Sequence, residues 1–385
     1  MSMIATNLKS LLKIKVKERS DSYTDQYNRI FMVKIMLACC IIMGISWYKD
    51  AIKCIVTTSS GMGDSGFVSQ ACWIQGLYIY KNLIDKKNEV AYFGIPKDMD
   101  LDGTLQSGEL CSTAGKLGTK NEKCMPMEKR FILQYQWMPF LIGALSALYY
   151  IPYLLHGAVN RDIKSLLEVL KSDKPDAVKV CQTYFNRRAN PYKKMFLRSL
   201  LNIIVKILYI VVNFITLFGL NNVLFDKFNS YGQSLIKWST QYSSNNYDYM
   251  GTVNDPTPGN LILPPFGYCE LYESSKDIKH STANSYKFIC ELSQNILYQY
   301  CFMILWFSIV LGIIVSFVGL LILIVRYVTG MFKTQERNMF GEVIKSLSIR
   351  EAEYMDIILK KRPDVYKEVN NLLMNGDDSI SLNEK

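Results

Sequence analysis

Between Phe131 and Leu155 the chain runs for 25 residues without a charged side chain. A helix rises about 1.5 Å per residue, so this run is long enough to cross a hydrocarbon layer of about 30 Å. Further apolar blocks occupy about 30–48, 199–221 and 297–325. Inside lipid every backbone N–H and C=O needs an internal partner, so each block is expected to be a helix. The 131–155 run carries Tyr135 and Trp137 near its start and Tyr149, Tyr150 and Tyr153 near its end. Those are the two depths that aromatic rings favour in a bilayer. Pro139 would break a soluble helix, but neighbouring helices or water satisfy the freed carbonyl in a membrane. Gly143 and Ala147 stand four apart and leave a face that a second helix can approach closely.

Composition alone would pass for a soluble protein, with 49% hydrophobic and 20% charged residues; the distribution decides. Residues 50–128 hold eight Lys/Arg against ten Asp/Glu, whereas 156–198 hold ten Lys/Arg in little more than half that length. Basic loops stay on the cytoplasmic side. The expected order is therefore a cytoplasmic N-terminal segment (1–29), a first span (30–48) and an outer loop (49–130). A second span (131–155), a cytoplasmic helical loop (156–198) and a third span (199–221) follow. A second outer loop (222–299), a fourth span (300–327) and a cytoplasmic helical tail (328–385) complete the chain. Lys129-Arg130 is a local departure from the charge rule. No charge occurs from Leu292 to Val325, a helix of about 50 Å at 1.5 Å per residue, so its first part is expected above the lipid. The fold class is an all-α membrane protein with four transmembrane helices. Both termini are cytoplasmic, the outer loops disulfide-stapled, and a cytoplasmic domain helical.

The net charge of +10 is spread over short blocks with no aromatic-interleaved basic face, which argues against a nucleic-acid partner. Lys34 and Lys206 are expected to snorkel to the nearer interface. Asn202 and Asn213 are expected to bond to neighbouring helices. Within 161–185 two amphipathic helices are expected, broken at Lys174-Pro175. In the tail a helix is expected to start at Leu347-Ser348, with Met355, Ile358, Leu359, Val365, Val369 and Leu372 at helical spacing. The last ten residues are polar and expected to be disordered.

Six of ten cysteines fall in the two outer segments: Cys54, Cys72, Cys111, Cys124, Cys269 and Cys290. An even number in oxidising space reads as three disulfides, for which about fifteen pairings exist. Cys39, Cys40, Cys181 and Cys301 fall in membrane or cytoplasm. No Cys-x-x-Cys spacing occurs and the chain has only His156 and His280, so neither metal nor cofactor is expected. With no nucleophile–base set, paired intramembrane carboxylates or Gly-rich phosphate loop, an enzyme is not expected.

Two runs carry a family resemblance: Tyr135-Gln136-Trp137-Met138-Pro139-Phe140 and Cys72-Trp73-Ile74-Gln75-Gly76-Leu77-Tyr78. Both resemble signatures of the innexins, invertebrate gap-junction proteins related to pannexins. Gln134 and Met138 depart from the usual Tyr-Tyr-Gln-Trp-Val. The resemblance implies disulfides between the outer loops, Cys54 with Cys290 and Cys72 with Cys269. Cys111 and Cys124 have no counterpart in the family pattern and are expected to pair with each other. It also implies an N-terminus folded into a pore. Ser2, Met3 and Asn7 are pore-lining candidates there, with Asp50 and Lys53 at the outer end of the first span. A homo-oligomeric or heteromeric ring of about six to eight subunits is implied, eight favoured, docked onto a ring of the neighbouring cell. Such a gap-junction channel in the plasma membrane passes ions and small metabolites. Membrane lipids are the other partner. The long 90–128 insert keeps a non-junctional hemichannel open as the alternative. A four-span adhesion scaffold is disfavoured, because the Cys-Cys-Gly motif of tetraspanins is missing.

Overall fold

The computed structural model describes residues 21–49, 52–56, 65–84, 86, 89–113, 123–172, 175–241, 257–273, 284–338 and 347–375. The chain is mostly helical, and four helices are long and apolar enough to cross a membrane: Tyr23–Ile45, Met138–Val159, Tyr192–Val223 and Ser293–Thr329. Their bounds differ from the apolar blocks for physical reasons. The first of these helices starts at Tyr23, ahead of the apolar block at 30, with Asp25 and Arg29 of its first turns buried in ion pairs. The second starts at Met138 rather than 131. Residues Lys129–Ile132 form a strand and Gln134–Gln136 a 3-10 turn. Pro139 therefore sits in the first turn of a helix, where its missing N–H breaks no hydrogen bond. The second span also changes course after Leu148, and Pro152 opens its last segment, Ile151–Val159. The third span is longer than 199–221 at both ends. The fourth helix runs from Ser293 to Asn338, through the charge-free stretch from Leu292 to Val325. The last ten residues lie outside the described residues.

The chain divides into two compact units. The helical unit comprises Met1–Lys34, Ser146–Ile215 and Ile309–Lys385. Beyond its span segments it contains Arg161–Leu170, whose Ile163, Leu166 and Leu170 are buried on one face. The expected break at Lys174-Pro175 falls partly outside the described residues; the short helix Ala177–Val180 comes next, with the Asp176 carboxylate accepting from Val178 N–H. Helix Ile349–Lys361 opens with a capping box, in which Ser348 accepts from Glu351 N–H and Glu351 accepts from Ser348 N–H. Helix Pro363–Asn375 closes the described tail. Leu166, Leu170, Val180, Tyr354, Ile358 and Val369 meet in one core; burying each large aliphatic is worth about 2 kcal/mol. Leu359, expected at helical spacing with Ile358, is exposed while Ile358 is buried in that core, and Val178 is exposed as well.

The sheet unit comprises Ile35–Leu145 and Thr216–Ser308. Its strands are β1 (Lys53–Cys54), β2 (Leu77–Tyr80), β3 (Val90–Tyr92), β4 (Ile95–Pro96) and β5 (Gly103–Thr104). They continue with β6 (Leu110–Cys111), β7 (Met125–Pro126), β8 (Lys129–Ile132), β9 (Phe266–Glu273) and β10 (Asn284–Glu291). Five of them form one antiparallel sheet in the order β1-β10-β9-β2-β8. β2 is buried throughout, while β8 alternates, with Arg130 and Ile132 inward and Lys129 and Phe131 outward. The 90–128 insert forms β3 with β4, and a three-stranded patch of β6, β5 and β7. Helix Ser65–Gln75 and the short helix Pro258–Ile262 complete the unit's non-spanning structure with Tyr231–Gln241.

Candidate functional site

The sheet unit joins the two cysteine-bearing segments covalently. Cys54 lies directly opposite Cys290 in the β1–β10 register, and the two are bonded with S–S 2.04 Å. Cys72, on helix Ser65–Gln75, is bonded to Cys269 on β9 with S–S 2.03 Å. A third disulfide, Cys111–Cys124, closes the insert's three-stranded patch. The sulfurs of Cys54, Cys72 and Cys290 lie within 4.8 Å of one another. All three are consumed in disulfides and offer no thiolate to a metal.

The two motif runs meet here. The Tyr135 hydroxyl and the Gln136 amide both donate to the carbonyl of Trp73, each at 2.7 Å, and Gln136 also donates to Ile74 O at 3.1 Å. The Tyr135 ring sets its edge on Trp73 at 6.1 Å. Burial pushes the Tyr135 phenol up to about 12, so it remains a donor at neutral pH. These carbonyls end helix Ser65–Gln75 and need such partners. Gly76 then turns the chain into β2 with φ +88°, and a Cβ there would collide with the Leu133 side chain. Pro139 lends its carbonyl to the Cys40 thiol at 3.2 Å, and Trp137 is 40% exposed just before the span. Arg130 is buried on β8, stacks over Phe225 at 3.4 Å and donates to Leu261 O at 3.0 Å. Burial lowers its guanidinium to about 10, still charged at neutral pH.

The helical unit is built around buried polar side chains instead. Asn28, Tyr149, Asn213 and Ser316, one from each span, form a single network. Asn213 donates to Asn28 at 2.9 Å and accepts from Tyr149 at 2.9 Å, and Asn28 donates to Ser316 at 2.8 Å. Such a network fixes the register of four helices that lipid would not otherwise press together. Nearby, Lys206 does not snorkel. It is 6% exposed and meets Asp25, 3% exposed, at 2.6 Å, and it donates to Ser22 as well. Arg29 pairs with Asp21 at 2.6 Å and lies 4.0 Å over the Tyr153 ring. The start of the first span is thus pinned to the second and third.

A further chain of bonds reaches the tail. Asn202 accepts from Asn160 at 3.1 Å and donates to the Tyr327 hydroxyl at 3.0 Å. Asn160 accepts from Arg350 at 2.7 Å. Arg350, fully buried, forks onto Asp162 (2.8 and 3.1 Å) and reaches Glu353 at 2.8 Å. Asp162 also accepts from Arg198 at 3.1 Å and from Tyr354. Burial alone would raise the Asp162 carboxyl. The hydrogen bonds and charge of Arg350, with Tyr354 and Arg198, outweigh it and hold the group below its ordinary 3.8.

A family model described as Innexin matches residues 21–374. This chain belongs to the innexin family. Innexin inx3 of Drosophila melanogaster is 24% identical over 306 residues, which cover 74% of this chain. The match covers 64% of the fly protein, so this chain spans somewhat under two thirds of that relative. Innexins are a channel family of multi-pass membrane proteins that assemble as oligomers.

The pore-lining candidates of this innexin are Ser2, Met3, Asn7, Asp50 and Lys53. Ser2, Met3, Asn7 and Asp50 lie outside the described residues. Lys53 is exposed on β1, opposite Glu291. Sequence reasoning missed Asp21, Asp25, Arg29, Asp162 and Arg350 altogether. The Asp25/Arg29 spacing suggests a local pair, but Arg29 turns to Asp21 and Asp25 to Lys206, so the spacing alone did not give the partners. Nothing in the sequence linked Arg350 to Asp162.

Proposed function

We propose that this innexin is a subunit of a ring-shaped gap-junction channel, which passes ions and small metabolites between adjacent cells. In this reading the cysteine-bearing segments lie outside the plasma membrane and the N-terminus, 156–198 and the tail lie in the cytoplasm. The observation that carries it is the five-stranded sheet closed by Cys54–Cys290 and Cys72–Cys269. A platform whose two segments are covalently joined loses little conformational entropy when it meets a second copy end to end. The buried network with a member on each of four spans supports a fixed bundle, around which a ring can close with one surface repeated. Ser2, Met3, Asn7, Asp50 and Lys53 are proposed to line the pathway, where polar and charged rings set selectivity. Six to eight subunits, eight favoured by family, complete the ring. Neither catalysis nor a cofactor enters this reading.

A non-junctional hemichannel is the second reading, favoured by the insert with its own strands and the Cys111–Cys124 bridge. Paired cells expressing only this protein, with dye injected into one, separate the two. Transfer into the partner supports the junction. Uptake from the medium without transfer supports the hemichannel, and neither, with the protein at the surface, contradicts both.

A further inference from the structure

A cavity of about 380 Å³ opens in the helical unit among the ends of the spans and the tail helix Ile349–Lys361. Its walls are largely apolar: Ile163, Leu167, Ile322, Leu323 and Ile357. Its charged lining is unbalanced, with Lys206, Arg326, Lys360 and Lys361 against Asp25 and Glu353. Both carboxylates are already engaged, Asp25 by Lys206 and Glu353 by Arg350. Lys360 meets Asp356 at 2.7 Å in an exposed pair, a bond of little worth in water. The guanidinium of Arg326 makes no hydrogen bond or ion pair among the described residues.

A second, independent feature points to a ligand. His156 lines the same cavity, is 4% exposed, and its Nδ1 has no hydrogen-bond partner among the described residues. Leaving a buried ring nitrogen without a partner is unfavourable, and a bound acceptor would relieve it. The position of the mouth selects the class of ligand. Arg326 is the first charge after Glu291, where the fourth span leaves its uncharged run. Ile322 and Val325, just before it, are more than half exposed, as side chains facing hydrocarbon are.

We propose that this cavity binds the phosphate headgroup of an anionic glycerophospholipid. Arg326 and Lys360 hold the phosphate at the rim, His156 Nδ1–H donates to it from within, and an acyl chain follows Ile322 along the fourth span. Apolar walls under a cationic rim at the end of a span match an amphiphile better than a soluble anion, which would leave the walls unused. The sidedness proposed above decides only which leaflet supplies the lipid, the cytoplasmic one.

The test uses the full-length protein in detergent micelles with fluorescent phosphatidylinositol bisphosphate as the probe. Saturable binding is expected, displaced by the unlabelled lipid and not by phosphatidylcholine. Soluble inositol trisphosphate is expected to compete at least about tenfold more weakly. Arg326→Gln should weaken binding about fivefold and Lys360→Gln added to it about as much again. Both sites are exposed, so the melting temperature should hold. His156→Asn, which keeps a donor near the Nδ1 position, should bind, and His156→Leu should not. Equal competition by phosphatidylcholine, or unchanged binding in the Arg326/Lys360 double variant, overturns the proposal. Equal competition by inositol trisphosphate reassigns the site to a free anion and overturns it as well. Binding is read without a pore, so loss of lipid binding with dye transfer intact fails this inference alone. Lipid binding without rings or dye flux fails the channel reading alone.

Discussion

The sheet unit and the helical unit bridge equally distant parts of the chain by opposite chemistry. Cys54–Cys290 and Cys72–Cys269 tie residues 236 and 197 positions apart with covalent bonds. Lys206–Asp25 and Arg350–Asp162 tie residues 181 and 188 apart with buried ions. In the sheet unit the disulfides add to the buried faces of β2, β9 and β10 by restricting the unfolded loops. The helical unit instead buries charges with their partners. The failure modes differ accordingly. A cut disulfide restores chain entropy, whereas a cut ion pair strands a charge away from water.

The largest expected effect follows from that last point. Arg350→Ala leaves Glu353 without its ion-pair partner and Asp162 half-paired, at a cost of about 3–5 kcal/mol. Early proteolysis of the tail in a melt, with all three disulfides intact on non-reducing gels, is the expected pattern. Lys206→Met should cost about as much by stranding Asp25, and Asp25→Leu in the same chain should restore most of it. A double variant no more stable than the single would mean that the pair is not the coupling element.

Cys290→Ser is expected to cost about 2–5 kcal/mol in the sheet unit and to keep the protein from the surface. Cys181→Ser, in the helical core, is a buried but unbonded thiol and should pass to the surface. Surface biotinylation checks both. Gly76→Ala should cost about 1–3 kcal/mol, because the residue holds a left-handed φ and its neighbour Leu133 blocks a Cβ. Its melt should fall without any change in disulfide content.

The smallest effect is a pH dependence confined to one unit. Asp162 titrates below 3.8 in the folded protein, so its contribution is fully present above that value. It is lost as pH falls through the lower, folded value. Acidification below about pH 4 should therefore loosen the tail helices while leaving the sheet unit's disulfides closed. Near-ultraviolet spectra of wild type and Asp162→Asn across that window make the comparison; equal acid sensitivity of the two would contradict it.

The four spans were legible because an apolar run of membrane length has few alternatives. The cysteine division was legible because charge bias and thiol location agree. The strands were not, since runs such as Lys53–Cys54 or Gly103–Thr104 are too short to show alternation. Trp73 and Gln136 stand in separate motifs, and only the fold reveals that one caps the other. Lys206 illustrates the deeper limit. A local rule sends an isolated lysine to the interface, and its actual partner lies 181 positions away. The same blindness hid that the first helix already begins at Tyr23, since Asp25 and Arg29 look like exterior residues until their partners are known.

Side-selective thiol labelling tests the proposed topology most directly, in which the cysteine-bearing segments lie outside the cell and 156–198 lies in the cytoplasm. Intact cells expressing the protein are briefly reduced and treated with a membrane-impermeant maleimide. Cys111 and Cys124, half-buried in the insert, should be labelled in intact cells, and the buried Cys181 only after permeabilisation and denaturation. Labelling of Cys181 in intact cells, or of Cys111 and Cys124 only after permeabilisation, would contradict the account.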